Sequence, residues 1–256
     1  MSPLRTQQHT LITRLRQVLT WTFTGSCVVA GGWLAADAIA HAETFQVQEV
    51  RFVGTDKAPT GQLRHLADVQ TGTHLFHADL SAAIKGVEMH PWVNEASARR
   101  RFPGAVEIHV REHEPKMLLA LDALWLVSND GQVFKRADSG ALDYPILTGI
   151  TPALTEEHPK VARAVIDDAL NIHKAVDGDE QIPLAELSEI HFDANAGFSL
   201  VMRTGTRIVL GFADPYPALD RLSRMRERGL DLNTPQHIDL DVGNVAIVSP
   251  LHSPPQ

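Results

Sequence analysis

From Val18 to Ala36 the chain runs VLTWTFTGSCVVAGGWLAA, 19 residues without a charge. That is close to the ~20 residues a helix needs to cross a hydrocarbon core. Its hydroxyl side chains can bond back to carbonyls of the preceding turn, so they do not forbid a span. Trp21 and Trp33 stand near the two ends, where amphipathic rings prefer the membrane interface, and Arg14 and Arg16 precede the stretch. Arg5, Arg14 and Arg16 lie before it and Asp37 and Glu43 after it, so the positive-inside rule predicts a cytoplasmic N-terminus and an extracytoplasmic body. Ala40-His41-Ala42 also satisfies the small-x-small pattern of a cleavable signal. The length of the run and its Gly31-Gly32-Trp33 segment favour an uncleaved anchor.

The rest of the chain has the composition of a folded protein, with 44% hydrophobic and 21% charged residues overall. Beyond the basic tail it holds 20 basic against 31 acidic residues, which excludes a nucleic-acid partner bound by phosphate neutralisation. Cys27 is the sole cysteine and falls inside the apolar stretch, so the body has no disulfide to lean on.

After residue 43 the pattern becomes a strand at Val50 and Phe52, two helical patches around Leu63/Leu66 and Leu80/Ile84/Val87, then two strands, WVNEASARRRF and AVEIHVRE. The order is β-α-α-β-β. Further on come KMLLAL and LWLVSNDGQVF, whose Asn129-Asp130-Gly131 marks a tight hairpin. The section closes at PILTG. A helix follows over 159–176, then strands at LSEIHFD, GFSLVMRTG and TRIVLGF, a helix at ALDRLSRMRE, and final strands at HIDL and NVAIV.

These segments resemble the bacterial cell-division family FtsQ/DivIB. The likeness rests on VQEVRFVG (47–54), GTHLFHADL (72–80), HPWVNEASARRRFPGAVEIHVREHEP (90–115), DGQVF (130–134) and TRIVLGFADPYPALDRLSRM, in that order after the anchor. The resemblance implies an α+β chain: a basic tail at 1–17, a transmembrane signal anchor at 18–42, a POTRA domain at 43–114, a β-rich domain with two helices at 115–249, and a disordered tail at 250–256. It further implies a single-pass inner-membrane protein with a periplasmic body, a divisome scaffold with no catalytic role, cofactor or small-molecule substrate. Its partners would be FtsB and FtsL, together with FtsW and FtsI. In that family the terminal strands of the β domain bind FtsB. Here those are Asp241, Val242, Asn244, Val245, Ala246, Ile247 and Val248, although Asp241 and Val242 depart from the family's frequent Arg-Tyr. An exposed strand edge suits that role because its unpaired N–H and C=O groups can be completed by a partner strand.

Other constellations point less far. His109, Glu112 and His113 match the letters of an H-x-x-E-H zinc motif, but the alternation around Ile108 predicts a strand, on which residues four apart are ~13 Å apart. His74 and His77 have no third ligand at a fixed spacing, so no metal site is expected. Arg99, Arg100 and Arg101 read either as solvated charges or as a docking patch for an acidic partner. Two readings compete with the scaffold: a POTRA chaperone of outer-membrane assembly or secretion, and an extracytoplasmic zinc hydrolase. The first lacks the repeating alternation of a membrane barrel.

Overall fold

The computed structural model describes residues 21, 25, 26, 28–33, 45–138, 143–243 and 245–251. Within the apolar stretch the described residues are helical, with Trp21 and Trp33 exposed. Among the described residues no helix is long and apolar enough to cross a membrane. Arg14, Arg16, Cys27 and Asn244, as well as residues 252–256, lie outside them. The chain divides into two compact units between Glu112 and His113.

In the first unit β1 (Glu49–Val53), α1 (Thr60–Ala67), α2 (Leu80–Glu88), β2 (Val93–Arg101) and β3 (Ala105–Glu112) follow the β-α-α-β-β order read from the sequence. β3 is central, parallel to β1 and antiparallel to β2. Alternation decides its two faces: Val106, Ile108 and Val110 are buried in a core with Leu63, Ala83 and Val87 of the helices. Asp79 starts α2 by accepting the Ala82 N–H. The helices cross closely at Gly86, where a Cβ would strike the Leu66 carbonyl. An exposed loop is clamped by Glu112, whose carboxylate accepts the N–H groups of Asp56, Lys57 and Ala58 at 2.8–3.1 Å.

The second unit is built on one nine-stranded sheet. Its strands are β4 (Pro115–Ala120), β5 (Leu124–Ser128), β6 (Val133–Arg136), β7 (Ile146–Thr148), β8 (Leu187–Asp193), β9 (Gly197–Met202), β10 (Arg207–Gly211), β11 (Gln236–Asp239) and β12 (Ile247–Pro250). They lie in the order β12-β11-β10-β9-β8-β7-β4-β5-β6. Pairing aligns Leu119, Leu147, Ile190, Leu200, Ile208 and Ile238 in a single row, every one fully buried. Residues from α4 (Pro159–Asp177) and α5 (Pro215–Glu227) join this row in one core, including Val165, Ile172, Leu219 and Leu222. The neighbouring row of Thr148, His191, Ser199, Val209, Asp239 and Ile247 is displaced by one residue and therefore faces the other way.

Three expectations need correction. Among its described residues the second unit has three α-helices, not the two expected: α3 (Pro152–Glu157) is capped by Thr151, which accepts the Leu154 N–H. It buries no residue and so leaves no apolar period in the sequence. PILTG, read as the end of a section, supplies β7, which bridges β4 and β8 by parallel pairing. Pro250 and Leu251, expected in a disordered tail, are instead paired: Pro250 lies opposite Gln236 and the Leu251 N–H reaches the Pro235 carbonyl.

Candidate partner-docking edge

β12 is the last strand of the nine-stranded sheet, antiparallel to β11 and with no strand beyond it among the described residues. Its register pairs Ile247 with Asp239, Val248 with Ile238, Ser249 with His237 and Pro250 with Gln236. The Leu251 N–H bond to Pro235 fixes the alternation, because in an antiparallel pair every second residue exchanges hydrogen bonds. Residues 247, 249 and 251 thus turn their amides toward β11, whereas 248 and 250 turn theirs away. A proline is tolerated at 250 for that reason: the N–H it lacks would have pointed into solvent.

The open edge is apolar. Val248 ends the buried row yet is 42% exposed, and its neighbour Ile247, on the opposite face, is 52% exposed. From Val245 to Leu251 the described chain carries no charge. The remaining sequence-derived residues lie before the strand: Asp241, Val242, Val245 and Ala246 form the approach to it. Asp241 sits with its carboxylate over Gly211, whose φ of +78° and missing Cβ leave that space open, and its N–H is held 2.9 Å from Asp239 Oδ1. Ser249, Pro250 and Leu251 belong to the edge and were not among the expected contacts. The alternation of Val248 with Pro250 is the signal that marks them.

The arginine run is divided by its strand. Arg99 and Arg101 both reach Glu107 on β3, Arg101 at 3.1 Å, while Arg100 turns to the other face. There its Nε donates to the Leu75 carbonyl at 2.8 Å and its Nη2 to the Ala78 carbonyl at 2.9 Å. Hydrogen bonds from Arg99, then Arg101, with His109 also contributing, hold the Glu107 carboxyl down to about 2. The three arginines therefore do not form one patch.

His109, Glu112 and His113 are separately employed: His109 on Glu107, Glu112 on the 56–58 amides, and His113 stacked on Phe134 at 4.5 Å. Among the described residues no three His, Cys, Asp or Glu side chains are placed to hold a metal. Thr148 donates to Glu189 and lies 2.7 Å from His191 Nδ1, with Glu189 3.5 Å from the same nitrogen. A nucleophile relay uses the two ring nitrogens separately, so this is a cross-strand polar cluster.

The two units correspond to two family models. Residues 45–113 match the FtsQ-type POTRA domain, and residues 120–241 match the C-terminal domain of cell division protein FtsQ/DivIB. A relative named cell division protein FtsQ from Anaeromyxobacter sp. (strain K) is 35% identical over 184 residues, covering 72% of this chain and 63% of its own. Another of that name from Myxococcus fulvus is 30% identical over 214 residues, 83% of this chain and 75% of its own. A third, from Syntrophotalea carbinolica, is 28% identical over 200 residues, 77% of this chain and 71% of its own. With both domain models in chain order and this coverage, the chain belongs to the FtsQ/DivIB family of cell division proteins.

Proposed function

We propose that the protein is a non-enzymatic, membrane-anchored scaffold of the divisome. It is held in the inner membrane by residues 18–42 with its body in the periplasm, and it binds the FtsB/FtsL complex through the outer edge of β12. The observation that carries this reading is the edge itself: an uncharged terminal strand, exposed at Ile247 and Val248, at the end of a buried row that runs through six other strands. A partner strand laid against it would pair with the outward Val248 N–H and C=O and cover Val248. Affinity then comes from the backbone, so changes at Asp241 and Asn244 weaken capture only in part. FtsW and FtsI are further partners on this reading, and Arg99 and Arg101 are its secondary contact candidates.

Depletion in the organism of origin tests the role. Filaments with unconstricted division sites, restored to septation by the full chain, are expected. Normal septation after depletion contradicts the proposal.

A further inference from the structure

Three phenylalanines distant in the sequence meet at one place on the first unit. The Phe102 ring lies 6.4 Å from that of Phe45 and 5.6 Å from that of Phe76, and His74 stacks against Phe76 at 5.6 Å. Phe76 and Phe102 are 54% and 62% exposed, and none of the three belongs to the buried core of the unit. Single exposed apolar side chains are common, but a contiguous aromatic group needs something to cover it.

The group is held in place from beneath. The Leu75 N–H donates to the Phe45 carbonyl at 2.8 Å and the Val47 N–H to the Thr73 carbonyl at 2.8 Å, tying the start of the unit to the 73–78 loop. Arg100 secures the same loop through the carbonyls of Leu75 and Ala78. A half-buried guanidinium is thus used to fix the loop that carries the rings.

Where the chain comes from decides the occupant. Only eight residues separate Ala36, the end of the uncharged stretch, from Phe45. Fully extended they reach about 30 Å, so the Phe45 end of the unit is tethered close to any membrane that the stretch crosses. We infer that Phe45, Phe76 and Phe102 form a lipid-docking face, which inserts its rings into the surface of the bilayer from which the chain emerges. The inference rests on the membrane-anchored reading and adds an orientation for the first unit.

The test uses the full chain in vesicles, with Cys27→Ser removing the sole cysteine and one fluorophore placed at His77→Cys or Met89→Cys. His77 adjoins the patch, and Met89 is exposed at the far end of α2, about 14 Å along the helix. Interfacial side chains sit ~5–10 Å into the headgroup boundary, so a headgroup-depth nitroxide lipid should quench the 77 label at least about twofold more than the 89 label. Phe76→Ser/Phe102→Ser should abolish that difference with an unchanged unfolding midpoint. Equal quenching at 77 and 89 in chains that float with the vesicles overturns the docking and leaves the anchor standing. A 77 label shielded from an aqueous quencher yet out of reach of the lipid nitroxide overturns it in favour of a protein cover. Chains that do not float remove the anchor reading, and the docking falls with it.

Discussion

The two ends of the nine-stranded sheet are both strand edges, yet they carry opposite chemistry. β6 ends the sheet with Lys135 and Arg136 on a four-residue strand, and Lys135 pairs with Asp138. β12 ends it with Ile247 and Val248 and no charge over its described length. Charged side chains on a short edge deter pairing with foreign strands, and an apolar edge invites it. The contrast teaches that an exposed edge is not in itself a binding site: one end of this sheet is guarded and the other is left open.

The strongest way to break the comparison is to damage the row that both ends share. Leu200 lies near its middle, fully buried, and Leu200→Ala should cost about 2–5 kcal/mol of stability. Val248→Ala, at the exposed end of the same row, should cost under ~1 kcal/mol while weakening FtsB capture. Chemical denaturation of both variants checks this. Equal losses would mean that Val248 is already part of a closed core.

A smaller effect is expected from removing the guard. Lys135→Val with Arg136→Val should give the β6 end the character of β12 and produce self-association that rises with concentration in sedimentation velocity. A variant that stays monomeric would show that β6 is protected by its geometry and not its charge.

The smallest effect concerns acid. Burial pushes His173 on α4 below its ordinary value, with Asp177 opposing the shift. The fold therefore favours the neutral ring. Its contribution is fully present above the unfolded value of about 6.5 and is lost as pH falls through the depressed folded value. Thermal midpoints measured between neutral pH and pH 5 should fall by a few degrees, and His173→Leu should flatten that slope. An unaltered slope would assign the acid sensitivity to other groups.

Much of this was legible in the residues because local periodicity sets local structure. Val106, Ile108 and Val110 announce β3, and Val161 to Val176 announces α4, since each buries one face. What escaped was short or non-local. β7 has three residues and α3 buries none, so neither leaves a period to detect. That Arg99 to Arg101 alternate across a strand is legible in the sequence, but not that register places Glu107 opposite Arg99. The edge at β12 was legible as a β-prone segment before a proline-containing tail. Which of its amides point outward depends on pairing with β11, and Pro250 looked like a boundary when it is an outward-facing member of the strand.

That register makes the central claim directly testable by two proline substitutions one residue apart, read against FtsB capture and thermal unfolding. Val248→Pro deletes an outward N–H and spares the bonds to β11; Ile247→Pro deletes an inward one and breaks the β11–β12 pair. The account predicts that Val248→Pro lowers capture about 100-fold, roughly 2.7 kcal/mol, with an unfolding midpoint close to wild type. Ile247→Pro should lower both capture and midpoint. Full capture by Val248→Pro would contradict the claim that the open edge of β12 is where the partner strand binds.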